Sequence, residues 1–239
     1  MDAVRIAAAG MARDLSRMET ISQNMANVLT PGYKQQLRID DSFAAQLQVE
    51  KAQSASVTST AQLVRVDPTS GTFRVTGRPT DIAIEGPGFF EVQLPSGTAY
   101  TRNGSMKLGL QGQLTNDAGT PFSGDAGLVT LANSPFSIDA TGAIRQEGRV
   151  VNRLKVVRFE QSEQMVSLGG GLYGQGGAKI AGAATPTTLR TGFLENSNVN
   201  STQEIVRMTE TVRHFEAMQK IMQGYDESLE KTIRKLGEF

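Results

Sequence analysis

The sequence predicts an α+β protein in which long N- and C-terminal helices pair as a coiled coil, with a central all-β domain between them. Three observations predict it. Of 25 Gly, 21 lie between Gly71 and Gly192, and all 8 Pro lie between Pro31 and Pro186. Gly and Pro punctuate turns and are kept out of helix interiors, so the two ends can be helical and the middle is turn-rich. The ends carry apolar residues at alternating spacings of three and four, whereas the middle carries short β-forming runs between turn signals. The expected division is an N-terminal helix over 1–35, an extended connector over 36–75, a β domain over 76–190 and a C-terminal helix over 191–239.

At the N-terminus, Val4, Ala8, Met11, Leu15, Met18, Ile21, Met25 and Val28 fall on one side of a helix. Pro31-Gly32 is its expected stop. At the C-terminus, Ile205, Met208, Val212, Phe215, Met218, Met222, Tyr225, Leu229, Ile233 and Leu236 repeat the spacing. Asn200 or Ser201 suits the N-cap, Glu204 the first turn, and Lys231, Arg234 and Lys235 the negative end of the helix dipole. Two such helices can pair antiparallel with each other and can also pair with other copies; the alternative is an ordinary helical core within one chain.

In the middle, Ile82–Glu85, Phe89–Leu94 and Thr98–Arg102 read as strands parted by Gly86-Pro87-Gly88 and Pro95-Ser96-Gly97. Asn103-Gly104 and further Gly-bearing pairs recur at the spacing of a small sandwich or barrel. Arg149–Phe159 reads as one long late strand, and Gly169–Gly177 as a flexible loop. The second resembles G-x-G-x-x-G, but no helix can begin after it, so it lacks the context of a phosphate loop.

Composition narrows the function. Lys+Arg and Asp+Glu number 24 each, so the basic footprint of a nucleic-acid binder is missing. There is no Cys and one His, which excludes thiol chemistry and His-paired metal sites. No stretch approaches a membrane span. The Ala-rich start faintly imitates a signal peptide, but Arg13-Asp14 interrupts it, so no cleaved signal is expected. Asp81, Glu85, Glu91, Asp117, Asp125 and Asp139 could serve a hydrolase only if two faced one cleft; most sit near Gly, where acids serve turns. Asn24, Asn27 and the run Asn196–Asn200 fit either capping or hydrogen bonds across an interface. No catalytic residue, cofactor or metal is expected.

Longer motifs carry a resemblance. The run from Asn24 to Lys34 (NMANVLTPGYK) resembles the N-terminal signature of bacterial flagellar rod and hook proteins. Leu194–Asn200 (LENSNVN), followed by Glu204, Met208, Arg213, Phe215-Glu216, Lys220 and Asp226, resembles their C-terminal signature. Arg78–Phe90 and Tyr100–Ser105 resemble their β domain. Val28-Leu29 and Pro87 depart from the usual pattern, and residues 160–190 carry no resemblance. Length favours a proximal-rod member, with a distal-rod member second.

The resemblance implies a non-catalytic subunit of the basal-body rod, a periplasm-spanning shaft that transmits torque. It implies terminal helices that line the tube, and export, unfolded and without a cleaved signal, by the flagellum-specific type III apparatus. Its partners would be other rod subunits, copies of itself and that apparatus, with no nucleic acid. The expected assembly residues are Met11, Leu15, Met18, Met25 and Asn27 at one end, and Met208, Val212, Phe215, Met222 and Tyr225 at the other.

Overall fold

The computed structural model describes residues 2–39, 63–109, 111–181 and 187–236. The middle of the expected connector, residues 40–62, lies outside the described residues. The chain is α+β. Two compact units are present: one is Met1–Ala26 with Asn200–Phe239, the other Asn27–Val199.

The helical unit holds α1 (Asp2–Ala26) and α2 (Ser201–Leu236). Asn24 Nδ2 donates to Glu204 Oε2 at 3.2 Å, and Asp14 Oδ2 lies 2.6 Å from His214 Nδ1. Gly10 faces Met218, whose Sδ would lie 3.8 Å from a Cβ built there. Each step back along α1 is matched by an equal step forward along α2, so the helices run side by side and antiparallel. α2 opens on the expected cap: Asn200 Oδ1 accepts from Gln203 N at 3.2 Å. α1 stops at Ala26, before the expected Pro31-Gly32. Past it, Thr30 N bonds to Asn27 O at 3.1 Å and Thr30 Oγ1 to Asn27 Oδ1 at 3.2 Å, a local turn that replaces the helical ladder.

The β unit is built on a five-stranded antiparallel sheet. Its strands, in order, are Val156–Val157, Phe89–Leu94, Gly97–Thr101, Leu172–Gly174 and Val166–Gly169. Successive side chains of a strand point to opposite faces. Accordingly Phe90 joins the main core with Ile82, Ile84, Val92, Phe122 and Ile144, while Phe89 joins a second core with Val66, Tyr100, Met165 and Tyr173. Both faces of the sheet are covered, so Phe89-Phe90 reads as an unbroken apolar pair. Ribbons close the unit: Gln36–Ile39 pairs with Leu63–Val66, Phe73–Val75 with Phe193–Glu195, and Ile82–Glu85 with Thr188–Thr191. The unit therefore includes residues on both sides of 76–190.

Two local expectations are corrected. Residues 149–159 are three short strands, Arg149–Arg153, Val156–Val157 and Phe159–Glu160, each in a different sheet. The break falls where Leu154 turns into the main core and Lys155 N bonds to Ser123 O at 3.1 Å. The Gly-rich stretch begins as a hairpin, with Gly169, Gly170 and Gly171 at φ of 90°, 58° and 75° in its turn. Three successive positive φ values require Gly.

Candidate assembly site and the polar knot

The line of contact on α1 is not the apolar stripe itself. Its buried residues are Ala7, Asp14, Thr20, Ile21 and Asn24, while Met11, Met18 and Met25 are half-buried and Leu15 is 56% exposed. On α2 the seam is Glu204, Met208, Thr211, Phe215, Met218, Met222 and Tyr225; Glu204 and Thr211 are buried and the others half-buried. Val212 is 37% exposed and Ile205 53%. At about 100° per residue, Met11 and Leu15 fall on the flank of α1 away from the Asp14–His214 contact. In an antiparallel pair, Met208, Val212 and Ile205 fall on that same flank, and the register brings Leu15 level with Val212. That flank is apolar at Leu15, Val212 and Ile205. The other carries Asp14–His214, and Asn24 with the Glu204–Arg207 pair at 2.7 Å. Glu204 stands in the first turn of α2, as expected, and also serves the seam. Asn27 is half-buried and lies in the β unit, in the turn described above.

The β unit holds a second arrangement that no sequence expectation named as a site. Glu195 is fully buried between two cations. Its Oε1 lies 2.6 Å from Lys34 Nζ, and its Oε2 2.9 Å from Arg102 Nε. The second contact is an ion pair whose N–H is not aligned on the oxygen. Gly71 N also donates to Oε1 at 2.9 Å, Lys34 Nζ to Thr69 O at 2.6 Å, and Arg102 Nη1 to Gly86 O and Gly88 O at 2.8 and 2.7 Å. Around this triad, Gly32 N donates to Glu195 O at 2.7 Å, Gln35 N to Asn198 Oδ1 at 2.6 Å, and Asn196 Nδ2 to Thr72 Oγ1 at 2.9 Å. Asn198 Nδ2 reaches Asp67 O, Thr69 O and Thr69 Oγ1 at 3.1–3.2 Å. The Asn run therefore caps α2 through Asn200 and ties the β unit through Asn196 and Asn198.

Electrostatics follow from burial. Desolvation pushes the Lys34 ammonium below the usual lysine range, opposed by Glu195 and reinforced by Arg102. Burial likewise lowers Arg102, against the pull of Glu195. Tyr173 Oη accepts from Lys34 N at 2.6 Å, and burial raises its phenol well above the ordinary value. A phenol raised in the folded state holds its proton where the unfolded chain has lost it. The β unit is therefore expected to lose stability as pH rises above about 10, with Tyr173 silent in an ultraviolet titration until the unit unfolds. Early ionisation of every Tyr in a folded sample would contradict this.

Three of the other acids are spent locally. Asp139 Oδ1 accepts from Thr141 N and Ala143 N at 2.9 and 3.1 Å, Asp117 pairs with Lys107 at 2.6 Å, and Glu91 with Lys155 at 2.9 Å. Among the described residues, no group of three or more His, Cys, Asp or Glu is placed to hold a metal ion. No described helix is long and apolar enough to cross a membrane.

Three family models match the chain: flagella basal body rod protein over residues 5–34, flagellar hook protein FlgE/F/G D1 domain over 83–150, and flagellar basal body rod FlgEFG protein C-terminal over 190–235. Each contributes one member of the knot: Lys34, Arg102 and Glu195. The chain is 31% identical to the flagellar basal-body rod protein FlgG of Buchnera aphidicola subsp. Schizaphis graminum, over 95% of this chain and 96% of that one. The chain belongs to the flagellar basal-body rod protein family. FlgF of Salmonella typhimurium is likewise 31% identical, over 95% of this chain and 94% of its own. FlgF of Mesorhizobium japonicum is 30% identical over 92% of both. Rod proteins of both names match equally well, so the chain is a rod structural subunit of FlgF/FlgG type.

Proposed function

We propose that this rod subunit takes a proximal, FlgF-like place and assembles through the apolar side of its helix pair. The single observation that carries the reading is the exposure of Leu15 and Val212, which the antiparallel register brings level on one flank. Apolar residues that do not serve the chain's own seam are available to a neighbour. A tube needs heterologous contacts, in which one face meets a different face of the next copy. Half-buried Met11, Met18, Met25, Met208, Phe215, Met222 and Tyr225 extend the surface, and Met adapts to unequal neighbours. Asn27 is a separate assembly residue of this reading, carried by the β unit. On this reading the two helices form a coiled coil within the rod, the partners are other rod subunits and further copies, and the subunit passes torque along the periplasmic shaft without catalysing a reaction. The flagellar export apparatus delivers it unfolded.

The test places a charge on the exposed side. Leu15→Asp and Val212→Asp leave the seam and the β unit untouched, so circular dichroism of each purified variant is expected to match the parent. Each is expected to abolish incorporation into isolated basal bodies and to stop swimming. Phe215→Asp goes further, because Phe215 also serves the seam, and is expected to reduce helix content as well. Wild-type swimming with Leu15→Asp and Val212→Asp combined would overturn the assembly surface.

A further inference from the structure

We propose that Glu195 is a closing latch, which keeps the β unit open until the segment leading into α2 has arrived. The cations it neutralises come first in the chain, at Lys34 and Arg102. The carboxylate comes last, 161 residues after Lys34. Every residue of the main core has been delivered once Leu189 is in place, and the ribbon joining Thr188–Thr191 to Ile82–Glu85 is complete at Thr191. The main core is then complete, and of the closing ribbons only that of Phe193–Glu195 on Phe73–Val75 is still to form. At that point both cations would be enclosed without their anion.

The surroundings do not compensate. Lys34 and Arg102 are 1% and 3% exposed. Arg102 faces the carbonyls of Gly86 and Gly88 and the hydroxyl of Ser70. Lys34 faces Thr69 O, and Asp67, the remaining carboxylate acting on it, already accepts from Thr69 N at 2.9 Å. Enclosing a charge without its partner opposes closure by an amount comparable to the stability of a whole domain. Glu195 removes that opposition for both cations at once. It also seats Gly32 N through its own carbonyl and Gly71 N through Oε1. The latch therefore reads completeness: a chain delivered from its N-terminus cannot lock its β unit until nearly all of that unit has arrived.

Nascent chains stalled on the ribosome test this, because they present the natural chain in its natural order. Protease resistance of the segment spanning Phe89 to Ile144 is read as the stall point is moved so that the last residue outside the tunnel runs from 185 to 205. For the parent, resistance is expected to appear only once Glu195 has left the tunnel, about four residues later than completion of the ribbon at Thr191. A triple variant, Lys34→Met, Arg102→Met and Glu195→Met, replaces the charges with apolar side chains of similar length. It is expected to become resistant as soon as Thr191 emerges. Resistance of the parent at Thr191 would overturn the latch, whether or not the triple variant folds. Released full-length Glu195→Gln supplies the second readout: it is expected to be cleaved across the same segment faster than the parent, and resistance equal to the parent's would likewise overturn the proposal.

Discussion

Replacing Glu195 by Gln is expected to remove about 3–5 kcal/mol from the β unit, the usual consequence of deleting one partner of a buried ion pair. The substitution keeps the volume and a hydrogen-bonding oxygen, so the loss comes from charge. Lys34 and Arg102, almost wholly buried, are left without a counter-ion. Replacing Lys34 by Met is expected to cost less, because one cation and one anion remain and the pair of Arg102 with Glu195 persists at 2.9 Å. Urea unfolding followed by hydrogen exchange at Phe90, Val92 and Phe122 separates the two. Equal losses for both variants would mean that the knot acts through packing rather than charge.

Gly104→Ala carries the second large effect. A Cβ at Gly104 would sit 1.7 Å from Ile82 O and 3.1 Å from Phe90 Cε2. Gly104 O also accepts from Ile82 N at 3.0 Å, so the two chains are bonded where the methyl group must enter. Neither a carbonyl nor the buried Phe90 can step aside cheaply. We expect a loss of about 3 kcal/mol, the upper part of the usual range for overpacking. Gly97→Ala is the control, since a Cβ there meets nothing within 4 Å although its φ is 130°. It is expected to cost about 1 kcal/mol or more through backbone strain alone. Denaturation midpoints of the two variants decide it, and a smaller loss for Gly104→Ala than for Gly97→Ala would refute the steric argument.

The two helices and the β character of the middle were legible because Gly and Pro are confined to one stretch and the ends keep a helical spacing. The seam was less legible. Spacing selects apolar residues, yet Asp14, Asn24, Glu204 and Thr211 are among the most buried positions of the pair. Leu15, read as part of one stripe with Met11 and Met18, projects from it. Strand pairing was illegible for a different reason. Phe193–Glu195 joins Phe73–Val75 across the length of the β unit, and no local pattern reports so distant a partner. Lys34, Arg102 and Glu195 each stood inside a recognised motif, but a buried ion pair exists only once its segments meet.

On the assembly surface proposed above, the apolar side of the helix pair also sets how assembly responds to conditions. A contact made by burying Leu15, Val212 and Ile205 has almost no enthalpy near room temperature and a negative heat-capacity change. Polymerisation through it should therefore weaken on cooling and strengthen with sulfate. With 24 charges of each sign, the chain carries no net repulsion for salt to screen. Temperature, more than ionic strength, then governs when one subunit holds the next.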